Sequence, residues 1–204
     1  MLDKFSGNYL VKELDPNSLD IPFKVQTNWH VITGAPCSGK TTLIEQLANA
    51  GYNTLYETAR LYYELELAKG RTSQEIRNCG KQTQAGIFQL QLKLEEGLST
   101  SEVVFLDRAL PDSLTFHRVF GLNTDSLLPA CLHYHYESVF ILERLPHDRK
   151  IKLGPEDEIS AHFIDQWLER DYRALGYRVV RVPVMPPRER LAFVLKKCFT
   201  VEQD

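Results

Sequence analysis

The residues from position 34 to position 41 have the types and spacing of a loop that binds phosphate. The segment reads GAPCSGKT and matches the pattern G-x-x-x-x-G-K-[ST]. In such a loop the backbone N–H groups surround the phosphates, the lysine reaches the β- and γ-phosphates, and the last hydroxyl ligates Mg²⁺. We therefore expect the chain to bind ATP or GTP with Mg²⁺. The predicted nucleotide-binding residues are Gly34, Ala35, Pro36, Cys37, Ser38, Gly39, Lys40, Thr41 and Thr42.

Asp107 is a candidate ligand for that metal, together with Thr41. It ends the apolar run Val103–Asp107, where phosphate-loop proteins place an acid that holds Mg²⁺ directly or through water. The alternative is a carboxylate that merely caps the strand. The next residue is Arg108, not the second acid of an ATPase that activates water, which favours a small-molecule kinase. Arg108 is then a candidate substrate-binding residue.

Glu57 is a candidate catalytic base. It ends a second predicted strand, Asn53–Glu57, and should open toward the edge that carries Lys40 and Asp107, within reach of an acceptor hydroxyl. The alternative is an ion pair with Arg60, three residues further on at the start of a helix. Arg60 itself either grips a substrate phosphate or carboxylate with its planar fork or holds Glu57.

A basic strip from Arg144 to Lys152 follows the fourth predicted strand and is bounded by proline and glycine. A mobile arginine or lysine can stabilise the charge of a transferred phosphoryl group while excluding water. Arg149 and Lys152 are therefore candidate catalytic residues on a lid. The alternative is a solvated loop.

Strands and helices alternate along the chain, and this order predicts how the candidate residues are positioned. After the loop, a helix is expected near Thr42–Asn49, and its N-terminus adds partial positive charge beneath the phosphates. Alternating strands and helices build parallel βαβ units with ligands at the carboxyl ends of the strands. We expect an α/β protein with the three-layer P-loop NTPase fold, a central parallel sheet and a nucleoside-kinase-like arrangement.

Further elements follow from apolar patterns, which indicate strands over Trp29–Thr33, Ser138–Leu142 and Tyr177–Val182. Helices are expected near Thr58–Ala68, Asp112–Phe120 and Glu156–Leu175, and one long amphipathic helix over Arg71–Leu98. Residues 1–28 are interpreted as an N-terminal extension that folds onto the sheet edge, and residues 29–204 as the P-loop domain.

Composition limits the classes of partner and compartment. A net charge of −3 over 204 residues argues against a broadly basic surface for nucleic acid. The four cysteines show no C-x-x-C spacing and no secretory signal precedes them, so we expect reduced thiols in a cytoplasmic protein.

No apolar stretch is long enough to span a bilayer, which restricts membrane contact to peripheral binding of acidic lipid. No further residue stands at the spacing of a metal ligand to His133 and His135, so these two are interpreted as packing or surface residues.

The chain resembles the NadR/TRPL-translocation-defect family of P-loop ATPase-like domains, which includes the nicotinamide riboside kinase domain of bacterial NAD regulators. The resemblance covers Trp29 to Val201 and is carried by GAPCSGKTTLIEQL, GYNTLYETARLYYE, FLDRALPDSL and RALGYRVVRVPVMPPRERLAFVL. It implies an AAA-like ATPase or kinase fold and an acceptor site that includes Glu57 and Arg60. It also implies that Val184, Pro187 and Arg190 lie where related kinases contact adenine, with packing as the alternative for the two apolar residues.

The sequence thus predicts a Mg²⁺-dependent, ATP- or GTP-binding protein that phosphorylates a small hydroxyl-bearing metabolite. The alternative is a regulatory switch or slow NTPase that binds a protein or an acidic lipid.

Overall fold

The structure is a computed structural model that describes Leu14, residues 22–146 and residues 155–199, the side chains of 155–159 excepted. Its strands are β1 (Val25–Gln26), β2 (Trp29–Thr33), β3 (Asn53–Leu55), β4 (Val104–Asp107), β5 (Tyr134–His135), β6 (Ser138–Leu142) and β7 (Val179–Val182). Its helices are α1 (Lys40–Asn49), α2 (Thr58–Ala68), α3 (Ser73–Asn78), α4 (Gly80–Glu96), α5 (Asp112–Val119), α6 (Leu128–Cys131), α7 (Pro155–Ala174) and α8 (Pro187–Phe199), with a 3₁₀ turn at Asp125–Leu127.

Five strands form one parallel sheet in the order β3-β4-β2-β6-β7. All residues of β2 and β4 are buried, as expected for strands covered on both faces. In register, Ile32 of β2 pairs with Asp107 of β4, and Thr33 pairs with Ile141 of β6. The carboxyl ends of these strands therefore lie along one edge, from which the candidate residues emerge.

Two apolar clusters lie on opposite faces of the sheet, because alternate residues of each strand point to opposite sides. Val31 belongs to the cluster that packs against α4, α5 and α7, and its neighbour Ile32 belongs to the cluster that packs against α1 and α8. In β4, Leu106 and Phe105 divide between the clusters in the same way. The molecule therefore has helix, sheet and helix layers, and the predicted three-layer α/β fold is confirmed.

The single long helix expected over Arg71–Leu98 is wrong. Thr72 and Glu75 form a capping box that starts α3, and the chain turns at Cys79 before α4 begins at Gly80. A Cβ on Gly80 would approach the Phe120 ring within 2.4 Å, so the turn brings the start of α4 against the end of α5. The apolar periodicity of the sequence continues through this turn and does not reveal it.

Outside the main sheet, β1 and β5 form a parallel two-stranded sheet with Val25 opposite Tyr134. Two-residue strands carry no detectable pattern, and neither was predicted. Strand β1 belongs to the proposed N-terminal extension, whose residues 1–13 and 15–21 lie outside the described residues. None of the helices in the described part of the chain combines the length and the apolar character that a membrane span requires.

Candidate active site

The loop between β2 and α1 has the backbone conformation that its glycines allow. Gly34 has φ +147°, and a Cβ there would come within 2.7 Å of the carbonyl oxygen of Leu142. Gly39 has φ +83° and is the residue before α1, and Cys37 also has a positive φ of +62°. A side chain at Gly34 or Gly39 would strain the loop.

Lys40 is the first residue of α1 and is buried beneath this loop. Its Nζ donates hydrogen bonds to the carbonyl oxygens of Gly34 (3.1 Å) and Ala35 (3.4 Å) and to the hydroxyl of Ser38 (3.4 Å). Of the other predicted loop residues, Pro36, Cys37 and Thr42 are exposed and Thr41 is half-buried. The loop thus presents its outer residues to solvent while the lysine spans its interior.

Four charged groups surround Lys40 and set its protonation. The pKa of Lys40 falls to about 8, because burial and then the cation of Arg108 lower it by more than the carboxylates of Asp107, Glu57 and Asp112 raise it. Lys40 therefore shares one electrostatic environment with the two carboxylates predicted from the ends of the neighbouring strands.

Asp107 ends β4 beside β2 and is only 2% exposed. Burial raises its pKa to about 6, although Arg108 and Lys40 pull in the other direction. Its Oδ1 is buried and has no hydrogen-bond partner among the described residues. A buried carboxylate oxygen without a donor is costly unless a cation or ligand completes it, so the donor set suits a metal better than a strand cap. The assignment of Mg²⁺ to Thr41 and Asp107 stays a prediction.

Glu57 lies two residues beyond β3, because that strand ends at Leu55 and not at Glu57 as expected; Glu57 is instead the N-cap residue of α2. Its Oε1 accepts a hydrogen bond from Nε of Arg108 at 3.1 Å. Burial raises the pKa of Glu57, but the charge and hydrogen bond of Arg108, followed by Lys40 and Arg60, lower it overall. The ion pair of Glu57 is thus with Arg108 and not with Arg60, whose side chain is exposed.

Arg108 has a positive φ of +72°, which is unusual for a residue with a side chain. Asp112 stabilises this turn, since it accepts hydrogen bonds from the Ala109 N–H (3.1 Å) and from Nη1 of Arg108 (3.1 Å). Asp112 also accepts hydrogen bonds from the hydroxyls of Thr33 and Tyr172. The guanidinium of Arg108 is therefore fixed between two carboxylates at the carboxyl edge of the sheet.

A second buried acid, Glu95 of α4, supports the same turn. It is fully buried and accepts hydrogen bonds from the Leu110 N–H at 2.9 Å, from Gln91 at 2.7 Å and from the Tyr136 hydroxyl at 2.6 Å. Burial raises its pKa to about 7. Sequence reasoning missed both Asp112 and Glu95, because an acid on an amphipathic helix looks like a surface residue.

The basic strip is described only at its beginning. Arg149 and Lys152 lie outside the described residues, so the lid remains a prediction. The strip begins against the phosphate-binding loop: Nε of Arg144 lies 3.4 Å from the carbonyl oxygen of Pro36, and the Leu145 N–H donates to that of Cys37 at 3.0 Å.

The three residues that the resemblance places near adenine differ in their surroundings. Val184 is 43% exposed and Pro187 is also exposed, so packing in the core does not explain either of them. Arg190 is 4% exposed, and it bonds to backbone carbonyls around the loop.

Comparison with known proteins agrees with this geometry. A family model described as an AAA domain matches residues 29–190, which is well over half of the chain. A search of curated proteins gives no significant match. The structure of NadR protein in complex with NR is similar over 87% of this chain and 52% of its own, with a TM-score of 0.64 and 16% identity. This chain therefore spans about half the length of that protein.

Two kinases of similar length have the same fold. Deoxyadenosine kinase from M. mycoides matches over 85% of this chain and all of its own, with a TM-score of 0.58 and 15% identity. Thymidylate kinase from Ehrlichia chaffeensis matches over 85% of this chain and 98% of its own, with a TM-score of 0.57 and 13% identity. The strand–loop–helix unit and the parallel sheet agree with the family match, and the match leads to one conclusion: the chain belongs to the AAA domain family.

Proposed function

We propose that this protein is a Mg²⁺-dependent phosphotransferase that moves the γ-phosphoryl group of ATP or GTP to a hydroxyl of a small metabolite. The observation that carries the proposal is the pair formed by Glu57 and Arg108, 3.1 Å apart and electrostatically coupled to Lys40 of the loop. A kinase needs a carboxylate that takes the acceptor proton and a cation that binds the acceptor or the transferred group, and the residue after Asp107 is Arg108 and not the second acid of a water-activating motor.

The transfer follows from the roles of these side chains. The acceptor oxygen attacks the γ-phosphorus, the bond from that phosphorus to the β–γ bridging oxygen breaks, and the nucleoside diphosphate leaves. The hydroxyl proton passes to the Glu57 carboxylate and then to solvent. Because the pKa of Glu57 is lowered, this carboxylate is ionised at neutral pH and available to accept the proton.

The remaining predicted residues hold and neutralise charge. Lys40 contacts the β- and γ-phosphates, and Arg108 together with Arg60 binds the acceptor or the transferred group. Thr41 and Asp107 would hold Mg²⁺, which when bound neutralises charge on the phosphates. Arg149 and Lys152 would lie on the lid and stabilise the charge of the transferred phosphoryl group.

For the acceptor we propose a nucleoside or a related riboside. Two of the proteins of similar fold are a deoxyadenosine kinase and a NadR protein solved with NR. Arg108 packs against the Phe116 ring, 4.8 Å from its centroid, so an aromatic surface adjoins the charged pair. Planar bases favour such surfaces.

A product assay tests the proposal. The purified protein is incubated with Mg²⁺, ATP or GTP and a panel of nucleosides, ribosides, vitamins and sugars, and phosphorylated products are identified by mass spectrometry and ³¹P NMR. We expect one chemical class to give product and to accelerate diphosphate release, and Lys40→Ala to give none. The absence of product from the whole panel contradicts the proposal.

One observation favours the regulatory switch as the second candidate. Arg144 and Leu145, which begin the basic strip, contact the loop that would hold the nucleotide. Nucleotide state could therefore alter the strip and its affinity for a protein or an acidic lipid surface.

A further inference from the structure

Three consecutive carbonyl groups of the phosphate-binding loop are held from outside the loop. Those of Pro36, Cys37 and Ser38 accept hydrogen bonds from Nε of Arg144 (3.4 Å), the Leu145 N–H (3.0 Å) and Nη1 of Arg190 (2.5 Å), respectively. The donors come from the segment after β6 and from α8, far from the loop in sequence.

The direction of these carbonyls determines where the loop amides point. In a trans peptide the C=O and the following N–H point in opposite directions, and the described residues contain no cis peptide bond. Bonds that hold the carbonyls of residues 36–38 outward therefore aim the N–H groups of residues 37–39 toward the inside of the loop. Those N–H groups are the donors that bind phosphate oxygens.

Of the three residues that donate to the loop, Arg190 makes the most hydrogen bonds to described residues. Its guanidinium also donates to the carbonyl oxygens of Pro183 after β7, at 3.1 Å, and Glu143 after β6, at 3.1 Å. One buried side chain thus joins the phosphate-binding loop to the two loops that follow the neighbouring strands. Burying a guanidinium costs free energy unless hydrogen bonds replace its lost hydration. Packing alone does not require a buried charge at this position, and Arg190 is nevertheless buried with all three of these bonds.

We propose that Arg190 is a positioning residue that pre-orders the phosphate-binding loop for nucleotide, acting on the Ser38 carbonyl from behind the loop. Arg144 and Leu145 extend the same support to the carbonyl groups of Pro36 and Cys37, respectively. The proposal rests on the proposed nucleotide binding. It differs from a role for Arg190 at the adenine, because it requires no contact between Arg190 and the nucleotide. Ordering the loop before binding removes part of the entropy that binding would otherwise cost.

Titration calorimetry with Mg²⁺ and a nonhydrolysable ATP or GTP analogue tests this on wild type, Arg190→Ala, Arg190→Lys and the control Arg188→Ala. Arg188 is an exposed arginine on the same helix. We expect Arg190→Ala to weaken nucleotide binding about 10- to 100-fold, the range for losing hydrogen bonds from a charged donor. Arg190→Lys keeps the charge but not the planar set of guanidinium donors, so its loss of nucleotide affinity should be intermediate. Arg188→Ala should bind nucleotide as wild type does.

Two further readouts separate positioning from general damage. Guanidinium chloride at low millimolar concentration should restore affinity to Arg190→Ala, because the free cation can occupy the vacated position, and should not improve wild type. Hydrogen exchange without nucleotide should become faster at the amides of residues 37–39 in Arg190→Ala than in Arg188→Ala.

The proposal is overturned if folded Arg190→Ala binds nucleotide within twofold of the wild-type affinity. It is also overturned if Arg190→Ala binds nucleotide more weakly and free guanidinium does not restore the affinity. If Arg190→Ala does not fold, as judged by circular dichroism, Arg190→Lys decides by the same affinity and exchange measurements. A wild-type protein that binds no nucleotide contradicts the proposed function instead, so the two failures are distinguishable.

Discussion

Nε of Arg108 donates a 3.1 Å hydrogen bond to Oε1 of Glu57, and this pair connects the end of β4 to the first turn of α2. Nη1 of the same guanidinium bonds to Asp112. Arg108 therefore divides its donors between the carboxylate that we propose as the base and a carboxylate that is part of the scaffold. The proposed base is held in place by a residue that is itself fixed.

We expect Glu57→Gln to lower turnover by about two to four orders of magnitude while nucleotide affinity stays the same, because the amide cannot accept the hydroxyl proton. Steady-state kinetics with the identified acceptor and calorimetry with nucleotide measure the two quantities. Glu64→Gln is the matched control, since Glu64 is an exposed acid on the same helix. Normal turnover in Glu57→Gln would reduce Glu57 to a structural partner of Arg108.

Asp107→Asn should weaken the Mg²⁺-dependent part of nucleotide binding more than the part that remains in EDTA. An amide oxygen is a poorer ligand for a hard cation than a carboxylate. The Oδ1 of Asp107 has no hydrogen-bond partner in the part of the chain that the structure describes, so it is the atom available to a cation. Calorimetric titrations with and without Mg²⁺ separate the two parts. A metal dependence as strong as that of wild type would leave Asp107 as a strand cap.

Lys40→Ala and Thr41→Ala should each abolish binding of the Mg²⁺-nucleotide complex without unfolding the protein. Lys40 is buried, but its described hydrogen bonds are all to its own loop, so its loss removes a phosphate contact and leaves the two apolar clusters intact. Circular dichroism checks the fold and calorimetry checks affinity, with the exposed Lys93→Ala as control. Unchanged affinity in both variants would refute nucleotide binding by this loop.

The sequence predicts the parts of the site that depend on local order along the chain. Glycines, lysine and threonine lie between a strand and a helix, and Asp107 ends an apolar run, so the order of residues alone places each of them at one edge of the sheet. The prediction that Glu57 ends a strand is off by two residues, yet the residue still emerges at that edge. An error of two residues at the end of a parallel strand does not change the edge of the sheet at which the following residue lies.

The residues that support the site could not be predicted in the same way. Arg190 follows Arg188 and Glu189, a charged run typical of a solvated helix face, and only the packing of α8 reveals that its side chain is buried. Glu95 precedes Glu96, and the sequence does not tell which of the two is exposed. Buried polar groups depend on partners that are distant in sequence, so local patterns do not identify them.

Stability should depend on pH through Glu95. Burial raises the pKa of Glu95 in the folded protein to about 7, above its ordinary value of 4.5, so the folded state holds the proton more tightly than the unfolded state. The contribution of this proton to stability is complete below pH 4.5 and is lost as pH rises through 7. It amounts to up to about 3 kcal/mol of unfolding free energy.

Glu95→Gln should remove this dependence, because the amide does not titrate and its oxygen can still accept from the Leu110 N–H. Urea denaturation of both proteins at intervals from about pH 4.5 to 8 measures the difference in stability, which should shift in favour of the variant as pH rises. Glu96→Gln, at the exposed neighbouring acid, serves as control. Parallel stability curves for wild type and Glu95→Gln contradict the prediction.

The response to acceptor should distinguish a kinase from a switch. A phosphotransferase excludes water until the acceptor arrives, so hydrolysis of ATP or GTP alone should be slow and the correct metabolite should accelerate diphosphate release by orders of magnitude. A switch should show no acceleration by any metabolite. Its diphosphate and triphosphate forms should instead differ in affinity for a partner, since the γ-phosphate would order a segment of the chain.

The basic strip allows both outcomes to be measured on the same protein. Arg149→Ala and Lys152→Ala should lower the rate of transfer more than nucleotide affinity in a kinase, because charge on the transferred group is greatest in the transition state. In a switch, the same variants should lose binding to vesicles that contain anionic lipid and leave slow hydrolysis unchanged. We expect the first result, because the paired Glu57 and Arg108 beside Lys40 suit an acceptor hydroxyl. Nucleotide-dependent vesicle binding without any phosphorylated product would reverse that expectation.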